Sequence, residues 1–162
     1  MQLIGMLDSP YVRRVAICLD TMGIPFEHKA VSVFADFDEF KIINPVVKAP
    51  SLICDDGEVL MDSALILEYA AAVAPNANSL MPSQLKEKQH ALHLIGLALA
   101  ANEKTVQVLY EKEHRPEEKQ HQPWLNRLDY QMLAAFSALE KDQQSSALQA
   151  GESLASITIA VA

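Results

Sequence analysis

Cysteine and positive charge are both in short supply in this chain. Two cysteines, Cys18 and Cys54, stand among 162 residues and form no CxxC pair, which fits a reducing compartment and leads us to expect a cytoplasmic protein. Thirteen lysines and arginines face 21 aspartates and glutamates, a formal net charge of -8. Nonspecific nucleic-acid affinity comes from Lys and Arg displacing condensed counterions, so this balance argues against nucleic acid as a partner. Long apolar runs are missing as well. The longest, such as LIGLALAA from Leu94 to Ala101, are much too short to span a bilayer, and no transmembrane helix is expected. The first residues lack the basic segment and long apolar stretch of a secretory signal. No HExxH pattern exists, and His90 and His93, three residues apart, have no further ligand in sight. Zinc needs three or four suitably spaced ligands, so no metal is expected. Internal repeats and low-complexity segments are absent too.

What is present suffices for a packed core: 50% of the residues are apolar and 21% charged, in a chain long enough for one large or two small domains. QLIGML reads as a short buried strand, after which Ser9 to Met22 switches to helical spacing, with Val12, Val15, Ala16 and Leu19 on one face. Gly23 stops that helix, Pro25 prevents its resumption, and FEHKAVSV alternates like a second strand. ADFDEFKIINP forms a short helix ending before Pro45, APSLIC and EVLM flank DDG as a hairpin would, and DSALILEYAAAVAP closes the region as a helix. The expected order is β-α-β-α-β-β-α, an α/β domain over residues 1–75. PNANSLMP has the composition of a connector, so a linker is expected at 76–82 and an all-helical domain over 83–162. Within the latter, one long helix runs from Ser83 to about His114, Arg115-Pro116 breaks it, and a second passes through Trp124, Leu128, Met132, Phe136 and Leu139.

Three short segments carry candidate chemistry. Ser9, followed by Pro10, reads as the cap of the first helix, and equally as a hydroxyl at a helix N-terminus, where unpaired N–H groups and the positive dipole end favour an anion. Tyr11 is the rival hydroxyl. Asp62-Ser63 reads as a second cap before ALILEY. Pro50 ends NPVVKAP, and an X-Pro bond is ordinarily trans. Cys18 and Cys54 read as packing residues rather than nucleophiles.

SPYVRR after the first strand, NPVVKAP at Asn44 to Pro50 and MDSALILEY at Met61 to Tyr69, in this order and spacing, resemble the glutathione S-transferase family, most of all its bacterial serine-type members. The resemblance covers essentially the whole chain and implies a thioredoxin-like N-terminal domain followed by a helical one. It implies glutathione as cosubstrate, with Ser9 stabilising the thiolate and Ala49, before a cis Pro50, pairing its backbone with the tripeptide. Ser63 would receive the γ-glutamyl carboxylate, Asp62 would balance the amino group, and Lys48 would reach the glycyl carboxylate. The family more often has Val where Ala49 stands and Glu or Gln where Asp62 stands. Serine in place of cysteine at position 9 cannot form a mixed disulfide, which favours conjugation to a small electrophile, held along the helix near Leu94 to Val108, over thiol exchange. A homodimer is implied as well. A noncatalytic relative, similar to the stringent starvation protein A group that binds RNA polymerase, is the alternative. At the other end, GESLASITIAVA resembles the start of the family's buried helix, with Ser156 where a carboxylate usually completes the capping box. Family members continue with further helices, so a short or truncated form with exposed apolar surface is expected.

Overall fold

The computed structural model describes residues 1–74, 80–145 and 152–162. The expected connector at 76–82 therefore falls largely outside the described residues. The chain divides into two compact units, one of Met1–Leu80 with Val161 and one of Met81–Ala160 with Ala162.

In the first unit a four-stranded sheet has the order β2-β1-β3-β4. Strand β1 (Gln2–Ile4) pairs parallel with β2 (Glu27–Lys29) and antiparallel with β3 (Ser51–Ile53), which pairs antiparallel with β4 (Val59–Leu60). With α1 (Pro10–Thr21), α2 (Phe37–Ile43) and α3 (Ser63–Val73) interleaved, the order is βαβαββα and the architecture thioredoxin-like. A parallel β1/β2 pair demands a crossover, and α1 supplies it. Helix α1 begins on Ser9 as N-cap with Pro10 in its first turn, where a missing N–H costs nothing. It stops at Met22, and Gly23 follows at φ 70°. Val12, Val15, Cys18 and Leu19 are fully buried, each large apolar side chain contributing roughly 1.5–3 kcal/mol. Beside β1, Ile4, Val31 and Phe40 form a second cluster on which Val47 and Ala49 pack.

Strand β2 is shorter than its alternating pattern suggests. The Val31 N–H turns back to the Lys29 carbonyl, and Ser32 then organises the chain locally: its N–H donates to Asp36 Oδ2 at 2.9 Å while its Oγ accepts from the N–H groups of Phe34 and Ala35. Side-chain bonds of this kind compete with a strand ladder for the same backbone groups.

The second unit contains α4 (Leu85–Glu113), α5 (Gln122–Ser145) and α6 (Leu154–Ala160). Ala91, Leu94, Ile95 and Ala98 of α4 meet Leu139 of α5 and Ala155 of α6 in one core. The small Ala98, wholly buried, lets the helices approach closely. His90 Nε2 on α4 lies 3.4 Å from Asp142 Oδ1 on α5. The break at Arg115-Pro116 holds a 3₁₀ turn at Glu117–Lys119. Buried Glu111 fastens it, accepting from the His121 N–H at 3.0 Å and pairing with Arg115 Nε at 3.3 Å. At α6 the capping box is complete without a carboxylate. Ser153 Oγ accepts from the Ser156 N–H at 3.1 Å, and Ser156 Oγ accepts from the Ser153 N–H at 2.9 Å. Among the described residues no helix is long and apolar enough to cross a membrane.

Candidate functional site

The turn from β1 into α1 is fixed before Ser9 is reached. The Gly5 N–H donates to the Lys29 carbonyl at 3.1 Å, and the Gly5 carbonyl lies 2.8 Å from His28 Nε2. A carbonyl only accepts, so this ring nitrogen is the protonated one. Gly5 stands at φ 136°, and a Cβ there would lie 2.7 Å from Val12 Cγ2 and 3.1 Å from Ala49 Cβ. Only glycine lets β1 pass this close to both α1 and the loop before β3. Ser9, half-buried, donates its N–H to the Met6 carbonyl and accepts from the Val12 N–H at 3.4 Å through Oγ. That bond uses one of the oxygen's two lone pairs and orients the hydroxyl, whose proton remains a donor.

The segment from Asn44 to Ser51 is held by one buried amide. Asn44 Oδ1 accepts from the Val46 N–H at 3.0 Å, while Nδ2 donates to Ser51 Oγ at 2.8 Å and lies 3.2 Å from Met61 Sδ. Ser51 Oγ passes the interaction on, donating to the Lys48 carbonyl at 2.8 Å. This chain of donors holds Val47 at φ 51°, a left-handed value that β-branched residues rarely adopt. The Ala49–Pro50 bond that follows is cis. Pro50 is buried, Ala49 half-buried and the Lys48 side chain exposed.

Asp62 caps α3, its Oδ1 accepting from the Ala64 N–H at 2.9 Å. Ser63 is 4% exposed, and its Oγ accepts from Arg14 Nη1 at 3.2 Å. Arg14, on α1, is itself 2% exposed. Burial pushes its pKa below the usual arginine value, opposed by Cys18, Asp62 and Tyr11. A buried cation in the second turn of α1 is thus tied to the N-terminus of α3. Sequence reasoning missed both Arg14 and Asn44. The signal available for Arg14 is position: of the tandem pair Arg13-Arg14, the second is one turn before buried Cys18, whereas Arg13 is exposed.

Other candidates stand apart from this arrangement. Cys18 is wholly enclosed, and burial raises its thiol to about 12. Burial raises the Cys54 thiol as well. Both are packing residues in this fold. An open cleft of about 730 Å³ lined by Ile24, Phe26, Glu27, Asp55, Tyr69 and Val73 shares no residue with the helix N-termini.

The family described as "Glutathione S-transferase, N-terminal domain" matches residues 3–78. Among curated proteins, glutathione S-transferase U4 of Arabidopsis thaliana is 32% identical over 92 residues, covering 57% of this chain and 41% of its own length. The probable maleylacetoacetate isomerase of Caenorhabditis elegans is 32% identical over 108 residues, covering 62% and 49%. The chain thus spans about half, or less, of the length of these curated relatives. A glutathione transferase family member from Pseudomonas fluorescens Pf-5, solved with bound glutathione, superposes with a TM-score of 0.84 at 29% identity, over 99% of this chain and 79% of that one. A glutathione S-transferase from Methylobacillus flagellatus KT, also with glutathione bound, gives 0.87 at 26% identity with the same coverage.

Proposed function

Because the chain belongs to the glutathione S-transferase family, we propose that its first unit binds reduced glutathione and that Ser9 holds the bound sulfur as a thiolate for conjugation to a small electrophile. The observation that carries this reading is the state of the Ser9 hydroxyl. Its oxygen accepts from the Val12 N–H, which anchors the hydroxyl at the positive end of α1, and its proton is the donor offered to a sulfur anion there. A hydrogen bond to a charged group is worth roughly 1.5–3 kcal/mol, which lowers a thiol's pKa by about one to two units from ~8.5. The thiolate then attacks an electrophilic carbon. A C–S bond forms, and either a leaving group departs with its electron pair or the adduct's carbanion takes a proton. Ala49 presents its backbone to the cysteinyl residue, Ser63 and the first N–H groups of α3 take the γ-glutamyl carboxylate, Asp62 balances its amino group, and Lys48 reaches toward the glycyl carboxylate. A second copy of the chain is the proposed partner, and light scattering behind size exclusion tests it, a monomer rejecting it.

The deciding experiment is titration of glutathione's thiolate by ultraviolet absorbance in the bound state, in the wild type and in Ser9→Ala. The substitution should raise the bound thiol's pKa by about one to two units and cost about tenfold or more in conjugation rate near neutral pH. The loss of a cap should cost only about 1 kcal/mol of stability. An unchanged thiol pKa in Ser9→Ala rejects the role given to Ser9. A folded chain that binds no glutathione rejects the transferase reading altogether and favours a noncatalytic relative.

A further inference from the structure

Arg14 is among the largest fully buried side chains of the described residues. A guanidinium is unfavourable in the interior unless charge and hydrogen bonds compensate it, so its position asks for a reason that packing alone does not give. Its surroundings are specific. Cys18, Asp62 and Tyr11 oppose the effect of burial on the cation, but burial withholds the Cys18 thiolate, which leaves the Asp62 carboxylate as the charge partner, and Nη1 donates to Ser63 Oγ across 3.2 Å. The guanidinium has five N–H donors and no acceptor, which fixes the sense of that bond. Ser63 Oγ must be the acceptor from Arg14, so its own O–H is turned to whatever else approaches. Ser63 is also the first residue of α3, and Asp62 has already taken up the Ala64 N–H. What remains at this terminus is a hydroxyl proton, the first free N–H groups and the helix's positive end, all backed by a buried cation.

We propose that Arg14 is a positioning residue for the γ-glutamyl carboxylate: without touching the ligand, its bond to Ser63 Oγ fixes that oxygen in place and leaves the hydroxyl proton directed at the carboxylate. This rests on the reading of the first unit as a glutathione site. It separates the tandem arginines by role, with Arg14 behind the ligand site and Arg13 at the surface. A strut that merely joined α1 to α3 would affect every ligand alike. A positioning residue affects only ligands that carry the carboxylate.

Calorimetric titration of the whole chain with two ligands tests this: reduced glutathione, and γ-aminobutyryl-cysteinylglycine, which lacks only the γ-glutamyl α-carboxylate. The wild type should bind glutathione more tightly. Arg14→Met should weaken glutathione by about tenfold or more and leave the decarboxylated analogue unchanged, as expected for loss of a hydrogen bond to a charged group. In a Ser63→Ala background the same substitution should bring no further loss, because the two residues act as one unit. Arg14→Lys restores the charge without the fork, and it should recover part of the glutathione affinity, again without moving the analogue. If Arg14→Met does not fold, the two-ligand comparison in Arg14→Lys decides. Equal losses for both ligands overturn the assignment of Arg14 alone and leave the glutathione site standing. A wild type that binds both ligands equally overturns carboxylate recognition and Arg14 with it. A wild type that binds neither overturns the site itself.

Discussion

Replacing Gly5 with alanine should damage this protein through two separable costs. The first is conformational. A φ of 136° lies outside the left-handed well that L residues occasionally visit, a cost of about 1–3 kcal/mol. The second is steric. The new methyl would sit 2.7 Å from Val12 Cγ2 and 3.1 Å from Ala49 Cβ, and neither atom can swing aside. Val12 is β-branched on a helix and wholly buried, so one rotamer dominates. Ala49 has no rotamer to change. Overpacking of this kind adds about 1–3 kcal/mol, and the stiffer unfolded chain returns about 0.4–1 kcal/mol. The net loss is about 2–4 kcal/mol, which lowers a urea midpoint by about 1–2 M for a typical denaturant dependence. Gly23→Ala is the internal control. Gly23 has φ 70° and nothing within 4 Å of the added Cβ, so it carries only the conformational cost. Urea unfolding followed by circular dichroism should therefore rank Gly5→Ala well below Gly23→Ala. Equal midpoints would refute the packing argument. Any relaxation around the methyl moves α1 or the loop holding Ala49, so glutathione affinity should fall in the same variant.

Three further outcomes follow from buried polar groups. Asn44→Asp keeps the acceptor for Val46 but sets a carboxylate against Ser51 Oγ, whose proton is committed to the Lys48 carbonyl. It should cost about 2–3 kcal/mol in urea unfolding and weaken glutathione binding, and a neutral result would dismiss the relay. Glu111→Gln retains an oxygen for the His121 N–H whereas Glu111→Ala strands it, so only the alanine variant should lose about 1–3 kcal/mol, read from fluorescence of Trp124, the sole tryptophan. The Cys18 thiol has an ordinary value of 9.0 and is raised to about 12 in the fold. Its contribution is complete below the unfolded value and is lost as pH climbs from about 9 towards 12, at ~1.4 kcal/mol per unit. Cys18→Ala should flatten that part of the stability profile, and an unaltered slope would show that other groups cause it.

The elements that sequence pattern revealed are those decided by neighbours in the chain. Ser9-Pro10 and Gly23 bound α1 through local backbone chemistry, and Asp62 caps α3 for the same reason. The alternation after Pro25 misled about the length of β2 because Ser32 and Asp36 divert the backbone through side-chain bonds that a hydropathy pattern does not register. Arg14 was illegible for a different reason. Its partner Ser63 lies 49 residues away, and an arginine in a helical stretch reads as solvated until that partner is known. Asn44 belongs to the same class, because its contacts with Ser51 and Met61 exist only once the loop has closed. At α6 the chemistry was read correctly as lacking a carboxylate, yet the Ser156 hydroxyl serves in its place.

That last substitution alters what governs the start of α6. A carboxylate in a capping box is a titrating anchor, weakened by acid and screened by salt. The Ser153–Ser156 pair has no ionisable member, so its two capping bonds do not titrate and are indifferent to pH as long as the surrounding fold stands. Nor do they fade as ionic strength rises. The first turn of α6 is fastened by a clasp indifferent to the surrounding medium, one whose hold depends on geometry and on the exclusion of competing water.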